Sequence, residues 1–188
     1  MRTQERPRLE QRRIAEPDHA ECKETGEMNP VGELLGLDDI QLDVDVPDKA
    51  PLLQGIASLL ARHAGLSDEE ILESLAAREE LGSTGLGHGV AIPHARMPQC
   101  DAVAGVFVRT KAAIPFDAPD RKPVSLFLAL IVPKQATERH LQLLATAATM
   151  FNDRTFRDKL LACPNPSAVK ALLAAWPDSP AHARSASR

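Results

Sequence analysis

Gly82, Gly85, Gly87 and Gly89 fall within eight residues, with Ser83 and Thr84 among them, and Val90-Ala-Ile-Pro-His94 follows at once. Glycines let backbone N–H groups approach an anion closely, and the two hydroxyls add donors. Pro93 fixes its own φ, pushes Ile92 into extended geometry and brings no N–H. A strand over 90–92 is therefore expected to lose its ladder at Pro93 and leave His94 projecting from the strand end. An imidazole there could serve as nucleophile or proton carrier near neutral pH. The loop is not a nucleotide-binding one, since no Gly-Lys-Ser/Thr follows, and its spacing does not fit a dinucleotide fingerprint. The plain alternatives are a flexible turn for the glycines and a structural role for the histidine.

The elements that must carry these residues can be read from periodicity. Ile40, Leu42, Val44 and Val46 alternate and predict a strand over Asp39–Val46, ended by Pro47. Leu52, Leu53, Ile56, Leu59 and Leu60 follow helical spacing from Asp48, with Gly65 after the end. Ser67 and Glu70 form a capping box ahead of Ile71, Leu72 and Leu75, so a second helix should reach about Glu79 and bring Arg78 to its end, just before the glycines. Ala102–Arg109 and Val124–Val132 are apolar, β-branched strands. A helix over Thr137–Phe151 should bury Leu141, Leu144, Ala145 and Ala148, and its first turn holds His140. Helices over Thr155–Ala162 and Ser167–Trp176 complete an α/β pattern.

Bulk properties narrow the function classes. The formal charge of −4 supplies no basic face, which argues against a nucleic-acid partner. The longest apolar run, Val124–Val132 broken by Ser125, is far short of the roughly 20 residues that span a bilayer, so no membrane insertion is expected. Cys22, Cys100 and Cys163 are odd in number and widely separated, as suits reduced thiols in the cytoplasm. Residues 1–32 are rich in Arg, Glu, Gln and Pro and are expected to form a disordered tail, with Met28 a candidate start. Residues 177–188 form a second polar tail. A metal site would have to use His88, His94 and His140, but the familiar ligand spacings are missing, so no metal or cofactor is assigned. Leu86, Val90 and Met97 lie close in sequence to His94 and are expected to offer an apolar docking surface.

The assembled string resembles the phosphorylation-site signature of type-2 IIA domains of the bacterial phosphoenolpyruvate-dependent phosphotransferase system. The likeness runs from about Leu34 to Trp176. Arg78, Gly82-Ser-Thr-Gly85, Gly87, Gly89, Ala91-Ile-Pro-His94, Phe116-Asp-Ala118, Ala129-Leu-Ile-Val-Pro133 and His140-Leu141 fall where that family has them. Two positions depart from it: Ala95 stands where glycine is usual, and His88 where asparagine or glycine is more familiar.

The resemblance, with the element pattern, implies a single α/β domain over 33–176, a mixed and roughly five-stranded sheet flanked by helices. It implies that His94 accepts a phosphoryl group from a phosphohistidine on a small HPr-like or NPr-like carrier protein. His140 and Arg78 would line the site, and Ser83 and Thr84 would add phosphate ligands. The Gly-Ser-Thr-Gly loop leading into Gly-Val-Ala-Ile-Pro-His looks closer to the nitrogen-regulatory branch, acting on protein targets, than to a fructose- or mannitol-type IIA that passes phosphate to a IIB domain. An interaction module whose His94 is never phosphorylated is the alternative from another class.

Overall fold

Val124–Pro133 is apolar at nearly every position because both its faces are covered, and as β6 it forms the middle of the sheet. The computed structural model describes residues 29–135 and 138–176; the expected tail residues 1–28 and 177–188, with Met28 and Cys22, lie outside them. β6 runs antiparallel to β5 (Ala104–Ile114), and β5 pairs in turn with a parallel β1 (Ile40–Val44). The far edge of β6 is shared by two short parallel strands, β3 (Val90–Ala91) and β4 (His94–Met97), and β2 (Gly85–Gly87) closes the sheet against β3. The sheet is mixed and six-stranded.

Alternation along β6 divides the interior. Phe127, Ala129 and Ile131 face α2 (Lys49–Ala64) and α3 (Asp68–Glu80). Leu126, Leu128 and Leu130 face α1 (Pro30–Leu34), α4 (Glu138–Asn152), α5 (Arg154–Ala162) and α6 (Pro166–Ala174). Helices thus cover both faces, as the interleaved strand and helix signals require. The local signals act as expected at α2 and α3: Gly65 takes the left-handed cap at φ 62°, and Ser67 and Glu70 close the capping box.

Three expectations are corrected. Residues 29–32, which the expected tail included, belong to the described fold: Asn29 caps α1, Val31 is fully buried, and Gly32 lies so close to α6 that a Cβ would sit 2.6 Å from the Ala174 Cα. The polar average over residues 1–32 hid that apolar contact. On α4 the buried stripe is Leu143, Ala147 and Met150, while Leu141 is exposed, because the sheet lies one residue-step around the helix from the face expected. Most consequential for the site, the ladder does not stop at Pro93. Ala91 pairs with Phe127 and His94 with Leu130, so the register is unchanged across the proline. Pro93 lacks only a donor; its carbonyl still accepts from the Leu130 N–H at 2.9 Å. His94 therefore opens a strand instead of projecting beyond one.

Candidate functional site

His94 is half-buried on β4, and both ring nitrogens have partners that admit a single neutral tautomer. Nδ1 lies 2.8 Å from the Ile92 carbonyl oxygen, which can only accept, so Nδ1 carries the proton. Nε2 lies 3.3 Å from Nε of Arg78, which can only donate, so Nε2 presents its lone pair. Arg78 is held in turn by an Nη1–H bond of 2.9 Å to the Gly82 carbonyl. The last turn of α3 thus delivers the guanidinium to the histidine.

Burial holds the His94 pKa below the ordinary imidazole value of 6.5. The Ile92 carbonyl opposes that shift, the Arg78 and Arg96 cations reinforce it, and Glu79 opposes it. Arg96 is exposed two residues along β4 and so shares the face of His94. A neutral, oriented nucleophile beside two cations is equipped to take up an anionic electrophile.

His140 is the third residue of α4 and is half-buried. It continues the Leu143–Ala147–Met150 stripe by one turn, on the helix that covers the Leu130 face. His94 is the register partner of Leu130, so both histidines belong to the same side of the sheet. His140 lines a cavity of about 430 Å³ together with Glu33, Asp101, Val103 and Leu143.

Ser83 and Thr84 use their hydroxyl protons inside the fold. Ser83 Oγ donates to the Phe116 carbonyl at 2.8 Å, and Thr84 Oγ1 donates to Glu79 Oε2 at 2.6 Å. His88 is exposed in the β2–β3 turn at φ 55°, its N–H bonded to Asp120. Among the described residues no three His, Cys, Asp or Glu side chains gather as a metal-holding group.

Sequence reasoning missed Glu79 and Lys49. Glu79 is buried and accepts from the Thr84 N–H, the Thr84 hydroxyl and Lys49 Nζ, at 2.9, 2.6 and 3.1 Å. Lys49 also meets Asp117 at 2.8 Å and stands 4.6 Å from the Phe116 ring centroid. Partial burial works against the Lys49 charge, but its two carboxylate partners outweigh that and hold its pKa above 10.5. No short-range spacing announces this contact between residues 49, 79 and 117. Of the expected docking residues, Val90 and Met97 are core at 0% and 2% exposure, whereas Leu86 is 42% exposed. Leu81 and Leu141, at 86% and 58%, are the exposed leucines beside Gly82 and His140.

Residues 33–176 match the family model described as the phosphoenolpyruvate-dependent sugar phosphotransferase system, EIIA 2. A nitrogen regulatory protein of Pseudomonas aeruginosa is 43% identical over 129 residues, which are 67% of this chain and 84% of that protein. The crystal structure of nitrogen regulatory protein IIA-Ntr from Neisseria meningitidis is 44% identical, with a TM-score of 0.74 over 76% of this chain and 98% of that one. A chain of the Escherichia coli complex of enzyme IIAMTL with phosphorylated enzyme IIBMTL shares the fold alone, at 19% identity and a TM-score of 0.64 over 74% of this chain and 96% of that one. Among the described residues no helix is long and apolar enough to cross a membrane.

Proposed function

The chain belongs to the EIIA 2 family of the phosphoenolpyruvate-dependent sugar phosphotransferase system, and from that premise we propose that it is a phosphohistidine carrier with His94 Nε2 as the acceptor. The observation that carries this reading is the two-sided grip on the ring, with the Ile92 carbonyl at Nδ1–H and the Arg78 guanidinium at the Nε2 lone pair. The donor is a phosphohistidine on a small HPr-like or NPr-like carrier protein. Nε2 attacks the phosphorus in line, and the new N–P bond forms as the donor's N–P bond breaks, its electron pair returning to the donor imidazole. The proton stays on Nδ1 throughout. Such a transfer needs little covalent help beyond position and stabilisation of charge on the equatorial oxygens.

Arg78 is placed to turn from the lone pair to those oxygens once the phosphoryl group occupies Nε2. His140, in the first turn of α4, can donate to the same group, where the positive end of the helix also favours an anion. We assign Ser83 and Thr84 to building the loop, because their hydroxyl protons already serve Phe116 and Glu79. Two relatives above 40% identity are named as nitrogen regulatory proteins, which supports a regulatory carrier in the cytoplasm acting on protein targets. Transfer to a IIB domain is the second reading, suggested by the IIA–IIB complex that shares this fold.

The test is incubation with phosphoenolpyruvate and the general phosphotransferase proteins. The protein should gain one acid-labile, base-stable phosphate, and His94→Ala should gain none. Equal uptake by the variant, or no uptake by either, overturns the assignment. Offering the phosphorylated protein to IIB domains separates the two destinations: retention of the phosphate supports the regulator, and rapid loss to IIB supports the sugar carrier.

A further inference from the structure

Two consecutive residues at the end of α3 reach the two sides of one imidazole. Arg78 does so directly at Nε2. Glu79 does so through a chain of backbone bonds. Its Oε2 accepts from the Thr84 N–H and hydroxyl, the Thr84 carbonyl accepts from the Ile92 N–H at 3.0 Å, and the Ile92 carbonyl accepts from His94 Nδ1–H at 2.8 Å. Building on the reading of His94 as nucleophile, we infer that Glu79 is a positioning residue for it: the anchored carboxylate fixes the carbonyl that keeps the proton on Nδ1, and so selects Nε2 as the reacting nitrogen.

The selection has work to do. In water a neutral histidine side chain prefers its proton on Nε2, the nitrogen that must here be bare. Reversing that preference takes an acceptor that cannot rotate away from Nδ1. Ile92 is clamped at both ends of its own residue, N–H to Thr84 and carbonyl to His94, and Pro93 has no N–H with which to compete. The clamp is only as rigid as Thr84, which is itself buried and tied at two atoms to Glu79.

A buried carboxylate is costly unless paired, and Lys49 supplies the pairing at Oε1. Lys49 also meets Asp117, while Ser83 bonds the Phe116 carbonyl. The anchor therefore joins α2, α3 and the 115–118 loop to the residues just ahead of the nucleophile. Its charge is met by the lysine, so it does not present a bare negative group to an arriving phosphate.

The experiment uses the full chain and reads two quantities: the 15N shifts of the His94 ring above pH 7.5, and the initial rate of phosphoryl uptake from the phosphorylated carrier. The unmodified protein should show a protonated Nδ1 and a bare Nε2. Glu79→Ala should move both nitrogens toward averaged values and slow uptake by about tenfold to a hundredfold, the scale of a misaligned nucleophile. The double variant Glu79→Gln with Lys49→Met keeps a neutral oxygen acceptor for Thr84 without the ion pair, and should restore the Nδ1–H tautomer and most of the rate. An unchanged tautomer in Glu79→Ala overturns the inference. Should that variant melt early, Glu79→Leu with Lys49→Met removes both links to Thr84 without leaving an unpaired lysine, and an unchanged tautomer there overturns it equally. Because the tautomer is read in unphosphorylated protein, a wild type that takes up no phosphate counts against the carrier reading and not against this one.

Discussion

At the scale of the residue, His94 would supply a lone pair in the proposed carrier and Arg78 a charge. Replacing Arg78 by Met removes a cation that both depresses the His94 pKa and faces the incoming group. Phosphoryl uptake by Arg78→Met should fall by about a hundredfold, the scale of losing one preorganised donor. Lysine should rescue it only partly, since it lacks the planar fork. An NMR titration of His94 should show its pKa moving up toward 6.5 in the variant. For the unmodified protein the sign runs the other way. The folded imidazole loses its proton below 6.5 while the unfolded one does so at about 6.5, so His94 stays neutral and competent somewhat below that pH. The same difference removes stability as pH falls from 6.5 through the lowered folded value, because the unfolded chain there binds the extra proton. An uptake profile whose acid limb lies at or above 6.5 contradicts this.

At the scale of the element, short devices carry much of the precision. The end of α3 is useful because the capping box at Ser67 fixes where the 13-residue helix begins, and Arg78, Glu79 and Glu80 close it. β4 is useful because Pro93 interrupts donation without shifting register, so His94 keeps the side of Leu130. A third device holds the covering layer. Arg109, buried on β5, donates from Nη1 to the carbonyls of Leu160, Leu161 and Cys163 and so caps the end of α5, while Nη2 meets Asp43 at 3.0 Å. Arg109→Met would leave those carbonyls without a donor in a dry place and should cost about 3 kcal/mol. Thermal or urea unfolding should register that loss, while the His94 tautomer stays as it was; a change of less than about 0.5 kcal/mol would show that water replaces the cap.

At the scale of the whole molecule, two cores share one sheet, and the site sits where the sheet edge meets the end of α3. Leu128 is fully buried in the layer under α4 to α6, and Leu128→Ala should lose about 3 kcal/mol by denaturant unfolding. Leu86→Asp should leave stability within about 0.5 kcal/mol and slow transfer from the carrier protein, since that leucine is 42% exposed; equal transfer rates would remove Leu86 from the docking surface. Much of this was legible in the chain: the capping box, Gly65, the apolar run of β6 and the Gly-loop-to-Pro-His string are local patterns whose physics acts within a few residues. The resemblance built on that string is what proposes His94, Arg78 and His140. What stayed hidden depends on contacts between distant segments. Residues 49, 79 and 117 are brought together only by packing α2 and α3 on the sheet. The face of α4 is set by where the sheet lies, and the burial of Val90 and Met97 by what covers them. Propensity, capping and motif act over a few residues, so the chain alone was enough to mark out most elements and to single out His94 as the proposed reacting group. Which nitrogen of His94 is bare follows from the fold, because it rests on the Ile92 carbonyl, the Thr84 link and a guanidinium 16 residues away, held together by long-range packing.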